Sequence, residues 1–216
     1  MSKIKNKIWH LVLASASPRR KQLLEYSGLK FTIHVTDILE ESHFTHPAQV
    51  AMDLAKQKGD HAFLDITNKD SIINPLIVAA DTVVALQNKI YGKPTSIADA
   101  ARILMELSGH EHEVFTGIYL KRKIEDRLQE YSFVEKTSVK FDQITPDVLH
   151  TYLQTGESLD KAGAYGIQAS GLTFIDTING SYSNVVGFPL NRFLHELKIF
   201  LGAGPDDTGA WRGLLA

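Results

Sequence analysis

The chain contains no cysteine, which rules out disulfides, thiol nucleophiles and cysteine-held zinc or iron–sulfur centres. No apolar run approaches the ~20 residues that a bilayer-spanning helix needs. Charge of one sign is also lacking: 23 basic residues stand against 25 acidic ones, a formal net charge of −2. Broad electrostatic attraction to nucleic acid or an anionic membrane is therefore not expected, and any anion site has to be local. A basic stripe with interleaved aromatics, the footprint of a nucleic-acid surface, is missing as well. The nine histidines form no H-x-x-x-H or H-E-x-x-H pattern, and His110 and His112, spaced as on one strand face, are a weak zinc pair. Internal repeats and low-complexity tracts are absent. Lys3, Lys5 and Lys7 ahead of Ile8–Leu13 imitate a signal peptide, but the apolar stretch is short and holds His10. The expectation is a soluble cytoplasmic protein without membrane or nucleic-acid partners.

What is present is an ordinary globular composition, 44% apolar and 22% charged over 216 residues, enough for one sizeable core or two small lobes. Residues 8–14 read as a buried strand, 18–27 as a helix stopped by Gly28, and 31–36 as a second strand, a β-α-β opening. Pro47 starts a second helix, with a polar loop at 68–74 after it. Residues 76–80 are the most apolar strand and hence a central one. Ser96, with Asp99 in a capping-box position, opens a helix that ends at Ser108-Gly109. Residues 112–121 and 128–141 predict a hairpin around Glu125-Asp126. Thr145-Pro146 opens a helix ending at Gly156, residues 172–178 look like a strand, and Pro189–Leu201 a closing helix. Alternation first and a hairpin later predict a mixed-sheet α/β domain over 1–201. Residues 202–216, rich in Gly and Asp, read as a loose tail.

Pro18-Arg19-Arg20-Lys21 places three cations in the first turn of a helix, where the dipole disfavours them. An anion would account for that, since Ser17 is a good cap and the free N–H groups after it suit phosphate. A capped surface helix whose cations merely fall early fits the same residues. Asp81 ends the central apolar strand, where open α/β sheets place ligands, although a strand-end Asp also caps turns. Lys93 between Gly92 and Pro94 is constrained in backbone and free at its head. Residues 156–168 combine Glu157, Asp160, Lys161, Gln168 and several glycines in one irregular stretch, the densest concentration of functional groups in the chain. Glu40 and Glu41 are candidates to hold a metal, and Lys56 and Lys58 to neutralise phosphate, or all four are simply solvated.

In order, Ser15-Ala16-Ser17-Pro18-Arg19-Arg20, Asp81-Thr82-Val83-Val84, Gly92-Lys93-Pro94, residues 108–116, residues 160–168 and residues 180–187 resemble the Maf family of nucleotide pyrophosphatases over nearly the whole chain. The resemblance implies a mixed twisted sheet flanked by helices, two lobes with a central cleft, similar to inosine triphosphatases. It also implies hydrolysis of a nucleoside triphosphate to the monophosphate and pyrophosphate with Mg²⁺ or Mn²⁺, and a homodimer as a further expectation. By the same resemblance Asp81 is the catalytic base. Arg19, Thr82 and Gln168 fall at positions of substrate choice, and Ser15, Arg19, Lys58, Lys93 and Lys161 contact phosphate. Glu40, Asp81 and Asp160 are the carboxylates for the metal. Asp-Thr-Val-Val together with Tyr-Gly-Ile-Gln looks like the branch that prefers dTTP and UTP, with Gln168 and Thr82 facing the O4/N3 edge of a pyrimidine. Phe188, and Ala169-Ser170 after Gln168, depart from the usual pattern. A non-catalytic nucleotide-binding regulator of septum formation is the other reading.

Overall fold

The computed structural model describes residues 7–204 and 206–216; Lys3 and Lys5 of the basic N-terminus lie outside them. The chain runs β1 (His10–Ala14), α1 (Pro18–Glu25), β2 (Thr32–Ile33), α2 (Pro47–Asn68), β3 (Pro75–Leu86), β4 (Lys89–Tyr91), α3 (Ile97–Leu107), β5 (Glu111–Ile124) and β6 (Arg127–Phe141). It continues through α4 (Pro146–Gln154), β7 (Ile175–Asn179), α5 (Tyr182–Val186) and α6 (Leu190–Phe200). Short 3₁₀ turns occupy Ala162–Ala164, Ser170–Thr173 and Ala210–Leu214. The strands form one seven-stranded mixed sheet in the order β2-β1-β3-β5-β6-β7, with β4 also on β3. β1 is parallel to both neighbours, as the β-α-β opening requires, and the remaining pairs are antiparallel.

Local sequence explains most element ends. Ser17 caps α1 by accepting from the Arg20 N–H, and Pro18 occupies the first turn, where its missing N–H costs nothing. Ser96 caps α3 through the Asp99 N–H, while the Asp99 carboxylate reaches one residue further back, to the Thr95 N–H. Gly28 and Gly156 take the left-handed backbone just beyond α1 and α4. The second strand is only two residues long rather than six: Thr32 and Ile33 pair with β1 and are exposed, and of the flanking residues Phe31 packs on the first core while Val35 is exposed.

β3 has an apolar stripe on each face, and each stripe is interrupted once. On one face Leu76, Val78 and Ala80 join a cluster with α1, α6 and the C-terminal turn, and Val84 joins a separate cluster with α3 and α4. On the other, Ile77 and Ala79 pack beneath one half of α2 and Val83 and Ala85 beneath the other. The interruptions are Thr82 and Asp81. Four apolar clusters, two on each face of the sheet, thus lie to either side of one polar pair.

The C-terminal residues differ from their expectation. Trp211 is 6% exposed within the first cluster, Leu215 bridges Trp9, and the Ala216 N–H donates to the Trp9 carbonyl at 2.9 Å. The Gly and Asp content suggests a loose tail, but burying Trp211 outweighs it, and Asp207 caps the turn by accepting from the Gly209 N–H.

Candidate active site

β1 covers one edge of β3 only as far as Ala79, and β4 begins on the same edge at Val84. Residues 80–83 therefore border a gap in the sheet, just beyond the carboxyl end of β1, where the Ser15–Ser17 loop and the start of α1 arrive. Arg20 fills it. Its guanidinium donates to the Ala80 carbonyl at 2.7 Å, the Gly187 carbonyl at 3.0 Å, Thr82 Oγ1 at 3.1 Å and Ser15 Oγ at 3.4 Å. Burial lowers the pKa of this guanidinium, and Asp81 and Glu40 act in the opposite direction.

On the α2 face, Asp81 is 8% exposed and its Oδ1 accepts from Lys58 Nζ at 2.5 Å. The same ammonium lies 2.7 Å from Glu40 Oε2, on the loop between β2 and α2. Two glycines let α2 come this close. Gly117 is the register partner of Asp81 on β5, and a Cβ there would run into the Ala51 carbonyl of α2. Gly59, next to Lys58, lies against the Tyr119 ring, which a Cβ would overlap. Asp60 then ties the helix down, accepting from the Tyr119 hydroxyl at 2.8 Å and from Lys121 at 2.5 Å.

On the opposite face, Thr82 Oγ1 lies 2.9 Å from Thr116 Oγ1, its register partner on β5, and the Thr116 hydroxyl donates to the Asn184 carbonyl at 3.2 Å. Asn184, fully buried in α5, donates to the Val114 carbonyl and to Thr137 Oγ1. This polar ladder crosses three strands between the two apolar cores.

The 156–168 loop meets the same gap from α1. Arg19 Nη1 lies 2.7 Å from Asp160 Oδ2, and Lys161 Nζ lies 2.7 Å from Asp160 Oδ1 and 2.5 Å from the Glu157 carbonyl. Burial pushes the Asp160 carboxyl up, but the bonds from Lys161 and Arg19 outweigh it and hold the group below the usual carboxylate range. The Gly163 N–H donates to the Gly92 carbonyl, which brings Lys93 alongside. Ala164 is held in the left-handed region at φ 61°, unusual for a residue with a Cβ and a mark of a loop fixed by its surroundings. Those surroundings are aromatic. The Tyr152 hydroxyl accepts from the Gly166 N–H at 3.1 Å, and the Tyr165 hydroxyl lies 2.9 Å from His112 Nε2, with both rings edge-on to Phe141. Burial lowers the His112 pKa to about 4, so the ring is neutral at pH 7.

Residues 10–200 match the family described as Maf-like protein. The chain belongs to the Maf family. A dTTP/UTP pyrophosphatase of Geobacillus sp. (strain WCH70) is 43% identical over 188 residues, covering 87% of this chain and 96% of that protein. One of Bacillus anthracis is 40% identical over 191 residues, covering 88% and 95%. A human protein named probable bifunctional dTTP/UTP pyrophosphatase/methyltransferase is 39% identical over 207 residues; the match covers 91% of this chain but only 33% of that longer protein.

For this Maf-family chain, Ser15, Lys58, Asp81 and Thr82 meet around the gap, Glu40 joins them through Lys58, and Arg19, Asp160 and Lys161 form a second charged knot on the facing loop. Lys93 and Gln168 are both exposed. Asp160 lies in that second knot rather than beside Glu40 and Asp81. The expected metal set is therefore not assembled as such: each of the three carboxylates is taken by a cation of the chain. Among the described residues no group of three or more His, Asp or Glu side chains is arranged to hold a metal ion. In sequence Arg20 is only one of three cations in the first turn of α1 and His112 only half of a weak zinc pair, while Thr116, Tyr152 and Tyr165 have no individual role, because what these residues do follows from a strand gap and a register that only the fold supplies.

Proposed function

We propose that this chain is a nucleoside triphosphate pyrophosphatase acting on dTTP and UTP. The observation that carries the reading is a buried carboxylate, Asp81, held against Lys58 at a gap in the sheet, with Arg19 and Lys161 held against Asp160 on the facing loop. A triphosphate supplies the anions that those cations accept in exchange. The names of the bacterial relatives, matched along almost their whole length, support the same substrate class.

In the proposed reaction a water attacks the α-phosphorus and passes its proton to Asp81. The bond between that phosphorus and the α–β bridging oxygen breaks, and pyrophosphate leaves with its charge spread over Arg19, Lys58, Lys93 and Lys161. Lys58 bonds Asp81 Oδ1, and Oδ2 is the oxygen that takes the proton. Ser15 orients the loop beside the phosphates. Gln168 offers a donor and an acceptor to the O4/N3 edge of the pyrimidine, an edge uracil and thymine share. Thr82, already bonded to Arg20 and Thr116, shapes the pocket beside it. The triphosphate brings its own Mg²⁺ or Mn²⁺. The proposed setting is the cytoplasm, with a homodimer as the assembly; among the described residues no helix is long and apolar enough to cross a membrane.

The test is pyrophosphate release from dTTP, UTP, CTP, GTP, ATP and 7-methyl-GTP in the presence of Mg²⁺ or Mn²⁺. Release from dTTP and UTP well ahead of the others is expected. Nucleotide binding with no release across the panel would instead identify a regulator.

A further inference from the structure

The charged centre of the site already contains a cation, and it belongs to the chain. Lys58 Nζ lies 2.5 Å from Asp81 Oδ1 and 2.7 Å from Glu40 Oε2, with the lysine side chain 13% and the aspartate side chain 11% exposed. These are two of the three carboxylates that the family resemblance offers to a divalent ion, and the third, Asp160, is held by Arg19 and Lys161 instead. A divalent ion on Glu40 and Asp81 would sit within a few ångströms of the ammonium; the Glu40 side chain is 45% exposed, but at the Asp81 end little water screens the repulsion between the two cations. The helix that carries Lys58 is seated on the sheet through Gly59 and Gly117 and tied by Asp60 to Tyr119 and Lys121, so the base of the Lys58 side chain is fixed beside Asp81, and its two carboxylate partners hold the ammonium there.

We propose that Lys58 is the resident cation of the nucleotide-free site and that it keeps divalent ions off Glu40 and Asp81. Resting on the function proposed above, any divalent ion used in turnover then reaches the protein as the counter-ion of the triphosphate, whose oxygens supply the ligands that the chain withholds. Nucleotide and metal are coupled in this arrangement, each raising the other's affinity. Removing the ammonium while keeping both carboxylates uncovers a metal site that the wild-type chain masks.

The experiment titrates Mn²⁺ into nucleotide-free protein and follows the free-ion signal by electron paramagnetic resonance, for wild type, Lys58→Met and Lys58→Met with Glu40→Gln. Lys58→Gln serves as a second variant should circular dichroism show that methionine disturbs the fold. The expected result is weak uptake by wild type, a gain of at least about tenfold in Mn²⁺ affinity for the Lys58 variant, and loss of that gain when Glu40 is also replaced. Wild-type protein that takes up Mn²⁺ as tightly as the variant overturns the proposal, and so does a folded Lys58 variant that gains nothing. No nucleotide or turnover enters the readout, so a failed substrate assignment and a failed masking role remain distinguishable.

Discussion

The two faces of β3 carry different kinds of construction one residue apart. Asp81 faces a long helix pressed onto the sheet, with glycines at the close approaches and a lysine fixed by two carboxylates. Thr82 faces a ladder of neutral hydroxyls and amides, Thr116, Asn184 and Thr137, which leads towards short helices and loops. Under the proposed function the difference is chemical as well as structural. Chemistry on a phosphate calls for a charge in a fixed place, and a packed helix provides that; choosing a base calls for a shaped pocket, and loops braced by hydrogen bonds provide that. Because side chains alternate across a strand, two consecutive residues face opposite sides of the sheet, with Arg20 in the gap between them.

This division is open to being broken. The largest effect expected is from Asp81→Asn, which should lower pyrophosphate release from dTTP by about a hundred- to ten-thousandfold while circular dichroism remains unchanged. Next is acid. His112 is held neutral by burial, its pKa lowered to about 4, so as pH falls the unfolded chain takes up a proton before the folded one does. The stability tied to this ring is complete above about pH 6.5 and is lost as the pH drops through 6.5 towards 4, about 3 kcal/mol in all. Denaturant unfolding at pH 7 and pH 4.5 should show that loss in wild type and a smaller one in His112→Phe. Equal losses would remove His112 as the cause.

Gly117→Ala tests the seat of the helix. The added methyl has to push α2 away from Asp81, which should cost about 2 kcal/mol and roughly 5 °C in melting temperature, with kcat falling more than KM rises. A variant with unaltered melting and turnover would show that the close approach is not needed. The smallest effect is expected from Thr82→Val, about 1 kcal/mol from the lost Arg20 and Thr116 bonds. It should change the ratio of dTTP to CTP turnover more than the dTTP rate itself.

Much of the helix-facing half was legible in sequence. The apolar run at 76–80 predicts a central strand, and Pro47 with its helical apolar spacing predicts the helix that carries Lys58; the expected strand end at Asp81 is corrected, because β3 runs on to Leu86 along β5 and Asp81 lies in its middle, at the gap between β1 and β4. The other half was less so. Thr116 matters because register sets it opposite Thr82, and Arg20 because β1 stops at Ala79 while β4 starts at Val84. Arg19 is the more conspicuous candidate in sequence, yet it turns outward to Asp160 and its neighbour enters the gap. Neither a strand break nor a pairing register leaves a local signature. The five-residue helix α5, with its cap at Ser181, is too short to produce a periodic pattern.

The separation of the two faces is tested most directly in the Asp81→Asn protein, where nucleotides should survive long enough for equilibrium binding to be measured. Dissociation constants for dTTP and ATP would be determined there and again with Gln168→Ala added. The account predicts that Asp81→Asn alone keeps the preference for dTTP and that adding Gln168→Ala removes it. Loss of the preference with Asp81→Asn alone would contradict the account, because the charge on one face would then be selecting the base on the other.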